Sequence, residues 1–202
     1  MNIQCQCGSV KGEIDNFPNQ CPGRLVCYCD DCQCFLHFIN KQDLLDINGG
    51  SEIIPVYPSN FKIIQGQDLI RGIRLSPKGL YRWYASCCQT PIANTQAKLP
   101  WVGMLSVMLP FKDDNQKTEI LGEVKSRVMG KFAKGQPPKG TSAKFAPRDF
   151  FSVVPFILKG FIFGKNRNHP FFAQPTYEPK SQTYVLTLNE RRDTLKKTMA
   201  TN

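Results

Sequence analysis

Across residues 1–110 the apolar positions come in short runs that alternate with polar ones and break at turn residues. "SVKGEI", "SEIIPVY", "FKIIQG", "LIRGIRL" and "LYRWYAS" are rich in β-branched and aromatic residues, and each is bounded by Gly, Pro, Asn or Ser. That is the pattern of half-buried strands joined by turns. "SPKG" (Ser76–Gly79) reads as a turn between two of them. "VGMLSVML" (Val102–Leu109) is an apolar run of strand composition. "QCFLHFINKQDLLDI" reads equally as a helical turn or a loop. Many short strands with turn signals predict a mainly β core.

The pattern changes further on. "KGQPPKGTSAKFAPRD" (Lys134–Asp149) is dense in Pro, Gly and Lys and reads as a linker or exposed loop. "FFSVVPFILKGFIFGK" follows, strongly apolar but interrupted by Pro155, Lys159 and Gly160. A membrane-spanning helix needs about 20 apolar residues, so no span is expected. The segment is expected as a buried helix docked on the β core. An interfacial amphipathic element, helped by flanking Lys and Arg, is the other reading. "LNERRDTLKKTM" is expected as a short exposed helix. The expected organisation is a β domain over residues 1–112 and a basic, partly helical extension over 113–202, packed on it.

The chain has 202 residues and needs no disulfides to hold a core of that size. Its start has no basic segment leading into an apolar one, so no signal peptide is readable. A cytoplasmic protein with reduced thiols is expected. Formal charge is +10 and uneven. Residues 1–100 carry 9 basic and 8 acidic side chains, residues 101–202 carry 17 and 8. Between Lys125 and Arg167 there are ten basic residues and one acidic, Asp149. Such a field suits an anionic small molecule, nucleic acid or a lipid surface, or serves as a solvated basic face.

Nine cysteines change the picture most. They are clustered, and pairs such as Cys5/Cys7 and Cys27/Cys29 are too close in sequence for unstrained disulfides. In a reduced compartment this points to metal or redox chemistry. Cys5-x-Cys7, followed by Gly8, is a tight pair whose distant complement is Cys87-Cys88. Together they offer the four thiolates of a structural zinc site. Cys27-x-Cys29-x-x-Cys32 is a second group, with three ligands from one turn and a fourth position left open. A three-ligand zinc with an exchangeable partner is the catalytic arrangement. Cys34, two residues on, has the alternative of closing that site into a cage of four.

"CQCGSVKGEI", then "CYCDDC", then "CCQTPI" resembles the glutathione-dependent formaldehyde-activating enzyme family, which includes centromere protein V. The order and rough spacing match over residues 5–110. The resemblance implies a β-rich, Mss4-like zinc fold. It implies structural ligands at Cys5, Cys7 and Cys88, and catalytic ones at Cys27, Cys29 and Cys32. Aligning "CQTP" on the family's C-G-T-P leaves Ala85 where the family has a further cysteine, and Gln89 where it has glycine. Cys87 or Cys21 then stands in, or the structural site is lost. The reaction implied is carbon–sulfur bond formation and its reverse, on a glutathione or other thiol adduct of an aldehyde. The basic surface would help hold such an anion.

Other residues are weighed singly. His37 and His169 read as packed or loop histidines, with a ligand or proton-carrying role as His37's alternative. Asp30 and Asp31 read as turn-setting residues between ligands. Tyr81, Trp83, Tyr84 and Trp101 read as packing, Trp101 having a pocket wall as its alternative. Arg71, Arg74 and Arg82 have strand spacing and are candidates to face a carboxylate. The leading expectation is a zinc-dependent carbon–sulfur lyase with one or two Zn2+ per chain and a small thiol such as glutathione as partner. The alternatives are a non-catalytic zinc module whose basic half binds an anionic partner, nucleic acid included, and a redox protein using Cys87-Cys88.

Overall fold

The computed structural model describes residues 1–200. The first part of the chain forms nine strands: β1 (Asn2–Gln4), β2 (Lys11–Ile14), β3 (Arg24–Cys27), β4 (Ser51–Val56), β5 (Phe61–Gln65), β6 (Ile70–Arg74), β7 (Tyr81–Ala85), β8 (Thr90–Thr95) and β9 (Val102–Leu105). Each of the alternating runs supplies one of β2, β4, β5, β6 and β7, and the first half of the Val102–Leu109 run supplies β9, whereas β1, β3 and β8 lie outside the runs that the pattern marks. The undecided segment after β3 is a helix, α1 (Asp30–Phe38). Its first turn is acidic, which suits the positive end of the helix dipole.

Beyond residue 112 come α2 (Asp114–Leu121), β10 (Val124–Val128), α3 (Pro147–Ile162), β11 (Thr183–Val185) and α4 (Leu188–Ala200). The protein is mainly β, built on two sheets. β1, β2 and β5 form a three-stranded antiparallel sheet. The larger sheet has eight strands in the order β10-β3-β4-β9-β8-β7-β6-β11. Its edge strands both come from the later part of the chain, and both pair in parallel. Val128 lies opposite Cys27, and Thr183 opposite Gly72. The open edges of β3 and β6, which would otherwise invite another chain, are thereby covered.

One core serves both sheets. Ile3 and Ile14 of the small sheet, with Val10 from the turn before β2, pack with Ile54, Val56, Trp83, Ile92 and Met104 of the large one. The later chain reaches into it too. Phe171 stacks on Trp83 with centroids 4.9 Å apart, and Phe172 meets the same ring edge-on at 5.6 Å. Trp101 lies across Gly103, where a Cβ would collide with its indole, so its role is packing.

The apolar segment does form a helix, but it is not buried as expected. α3 docks by one narrow face: Phe156 stacks on Tyr57 at 4.1 Å, and Gly160 sits tight against Tyr57 and Pro100. Phe151, Val154, Leu158, Phe161 and Ile162 point to solvent. α4 is likewise not simply exposed, since it packs along α1 and buries Thr194 and Thr198. No helix among the described residues is long and apolar enough to cross a membrane.

Candidate metal centres

The β1–β2 turn brings Cys5 and Cys7 against the β7–β8 turn, which carries Cys87 and Cys88. The four sulfurs lie within 4.8 Å of one another. Cys5 Sγ is 3.6 Å from Cys7 Sγ and 3.9 Å from Cys87 Sγ, and the Cys7–Cys87 and Cys87–Cys88 separations are 3.3 and 3.8 Å. A disulfide needs about 2.05 Å. Sulfurs placed tetrahedrally about 2.3 Å from a zinc-sized ion stand about 3.8 Å apart. The spacing therefore suits a metal cage, and all nine cysteines are free.

Local geometry explains how the ligands converge. Gly8, at φ +74°, closes the turn after Cys7, and its N–H donates to the Cys5 carbonyl. The Val10 N–H donates to Cys5 Sγ at 3.2 Å. On the other side Gln89 takes φ +58°, where the resemblance places glycine. That left-handed residue turns the chain so that adjacent cysteines serve one site. Cys87 brings its sulfur into this group, whereas Ala85 is buried in β7. Cys21 belongs to neither group. Cys7, at the surface, is pulled down to about 6 by hydrogen bonding with the Ser9 side chain and backbone and with Cys87 and Cys88.

The second group is Cys27, Cys29 and Cys32, again with all sulfurs within 4.8 Å. Cys27 ends β3. Cys29 is the N-cap of α1, its Sγ accepting from the Cys32 N–H at 3.3 Å. Cys32 is in the first helical turn, where unpaired N–H groups favour a thiolate. Hydrogen bonds from Cys27 and Cys29, with the Arg82 guanidinium behind them, hold Cys32 well below the usual thiol range. Cys27 is pushed up correspondingly by those bonds and by burial.

Cys34 does not join them. Two residues along a helix is more than half a turn away, so Cys34 faces Phe35, Leu36, Ile73 and Leu186 in a separate apolar cluster. Burial, then Asp31, raises it to about 11. Among the described residues the group has three sulfur ligands and no fourth from His, Cys, Asp or Glu.

Of the three candidate arginines one reaches this group. Arg82 is fully buried and directs Nη1 at Cys32 Sγ, 3.7 Å away, and at Asn94 Oδ1, 3.1 Å away. Its Nη2 is 4.0 Å from Asp31 Oδ2. Arg71 donates to the backbone carbonyls of Asp68 and Ile70, and Arg74 to that of Gly79. Asp31 also takes an ion pair from Arg191 of α4 at 2.7 Å. Asn94 and Arg191 carry no sequence signal, because nothing local marks a residue that meets its partner through tertiary packing. Asp30 accepts from the Asp31 N–H, a turn-setting bond. His37 and His169 stand outside both groups. A cleft of about 560 Å³ is lined by Cys5 and by Ser51 and Leu105, which are neighbours of Cys27 in register and in packing.

A family model matches residues 1–178.

The chain belongs to DUF6151, a family of unknown function.

Both cysteine groups of this DUF6151 chain lie within the matched residues. No curated protein matches it. Among solved structures, the crystal structure of a Rhodobacter sphaeroides protein is similar at 16% identity and a TM-score of 0.43, covering 61% of this chain and 97% of that one.

Proposed function

We propose that this chain is a zinc enzyme of the carbon–sulfur lyase type, acting on a thiol adduct of an aldehyde, with a structural zinc at Cys5, Cys7, Cys87 and Cys88 and a catalytic one at Cys27, Cys29 and Cys32. The Mss4-like fold suggested by the cysteine motifs is part of this reading. The observation that carries it is the three-sulfur group with Cys34 turned away. Thiolate donors at this spacing fit zinc, and three of them leave one coordination position for a substrate.

Zinc held there would supply a Lewis-acidic position that stabilises a substrate thiolate. The chain's own residues do the rest. At the start of α1 the Cys32 N–H donates to Cys29 Sγ, and Arg82 adds a fixed positive charge at Cys32 Sγ from a site closed to water. Asn94 and Asp31 orient the guanidinium. In the lyase direction the carbon–sulfur bond of a hemithioacetal breaks. Its electron pair stays on sulfur, the hydroxyl proton passes to that sulfur, and the aldehyde and free thiol are released. The cleft lined by Cys5, Ser51 and Leu105 has the volume of a small-molecule site, and reaches the three-sulfur group only through Ser51 and Leu105, the neighbours of Cys27.

The test is metal content and turnover together. Protein purified without chelators is expected to carry about two zinc ions per chain and to release aldehyde from a glutathione hemithioacetal. Folded, zinc-loaded protein that neither binds a small thiol nor turns over the adduct overturns the reading.

A further inference from the structure

α3 wears its apolar face on the outside. Phe151, Val154, Leu158, Phe161 and Ile162 recur at helical spacing and form one stripe about 100° wide. Phe151 is 80% exposed, Ile162 78% and Phe163, just past the helix end, 63%. A surface helix normally turns such a stripe inward. Here the helix cannot roll to do so. Its other face is pinned by the Tyr57–Phe156 stack, by the hydrogen bond from Tyr57 Oη to the Phe156 carbonyl at 2.9 Å, and by Gly160 against Pro100. An exposed apolar stripe of this size marks a docking surface.

The charge around it says what docks. Lys159 of α3 and the half-exposed Lys165 stand with Phe163 around one groove, and exposed Lys144 and Arg167 lie within a few residues of the two ends of the helix in sequence. Residues 150–177 contain no acidic side chain. Asp149 is buried at the N-terminus of α3, where it accepts from the Ala146 N–H and the Ser126 hydroxyl. A second copy docked face to face would set lysine against lysine. A bilayer rich in anionic lipid offers an apolar layer and a negative surface in one plane. Lys stems can lie along the apolar layer while their ammonium groups reach the phosphates. Beside the helix, a groove of about 580 Å³ lined by Cys21, Pro155, Phe163, Lys159 and Lys165 suits a phospholipid head with part of its chain.

We propose that the outer face of α3 is a membrane-docking surface that lies in the headgroup region of an anionic phospholipid bilayer, held by its apolar stripe and its rim of Lys and Arg. Sixteen residues cannot cross a bilayer, so the helix lies on the surface.

The experiment is vesicle flotation of the full chain with phosphatidylcholine alone and with about 30% phosphatidylglycerol added. Binding is expected on the mixed vesicles at low salt, weaker by roughly ten-fold or more on phosphatidylcholine, and released by added salt. The double variant Phe151→Gln/Ile162→Gln should lower binding on the order of ten-fold. Lys159→Glu/Lys165→Glu should lower it similarly. Both pairs sit on the surface, so an unchanged circular dichroism spectrum should accompany the loss. The proposal is overturned if wild type stays in the buffer with both vesicles, or if the apolar variant binds as well as wild type. It is equally overturned if light scattering shows a dimer that this variant dissolves while vesicles capture nothing.

Discussion

Arg191 Nη2 donates to Asp31 Oδ1 at 2.7 Å, joining residues 160 positions apart. Asp31 sits between Cys29 and Cys32, so this bond ties the last helix to the rim of the three-sulfur group. Asp31 also faces the buried Arg82, and one carboxylate thus answers two guanidinium groups.

Both partners of that bond are partly solvent-exposed. Arg191→Ala is therefore expected to cost no more than about 1 kcal/mol, a fall in Tm of about 2–4 °C for a chain of this size. The difference from wild type should shrink in high salt. Thermal melts at two salt concentrations check it, and a loss several-fold larger would mean that α4 is held mainly by this contact.

Cys34 and Cys32 are two residues apart but belong to different environments. Cys34→Ala should leave metal content unchanged and cost about 1 kcal/mol of core packing. Cys32→Ser should lose about one equivalent of metal. Metal per chain by elemental analysis separates the two. Equal losses in both variants would place Cys34 among the ligands after all.

The four-sulfur group ties the β1–β2 turn to the β7–β8 turn. Cys87→Ala should remove that tie, since no other cysteine among the described residues stands near enough to replace it. The expected result is one fewer metal ion per chain and faster amide exchange in residues 5–10. The same exchange pattern should appear in wild type after treatment with a strong chelator.

His169 is fully buried against Phe171 and Phe172, and burial, then Lys180, pushes its pKa down to about 3. Its Nδ1 accepts from the Phe171 N–H, and its Nε2 has no hydrogen-bond partner among the described residues. The folded state keeps this imidazole neutral, whereas an unfolded histidine protonates near pH 6.5. Stability is thus full above that pH and is lost as pH falls toward 3, by about 1.4 kcal/mol per unit at most. His169→Asn retains an acceptor for Phe171 but does not titrate. Denaturant melts from pH 7 to pH 4 should show a shallower acid decline in the variant than in wild type.

Much of the fold was legible. Each β-branched run became a strand, because alternation with turn residues at both ends leaves few other ways to bury one face. The two cysteine groups were legible as well. Close spacing forces Cys5 with Cys7, and Cys27 with Cys29 and Cys32, into one neighbourhood whatever the rest of the chain does. The direction of α3 was not legible. An apolar stripe has the same spacing whether it faces core or solvent, and contacts with Tyr57 and Pro100, far away in sequence, decided which way it turned. β10 and β11 were missed because a parallel edge strand is recognised by its partner, not by its own few residues.

By itself, then, the sequence determined the strands that alternate, and which cysteines stand close enough along the chain to share a group, both of which depend on neighbours a few residues apart. Tertiary structure decided that Cys87 and Cys88 meet Cys5 and Cys7, that Cys34 turns away, and that Arg82, Asn94 and Arg191 gather around the three-sulfur group. These are outcomes of long-range packing. They depend on which surfaces meet when the chain closes on one core, and no local pattern carries that information.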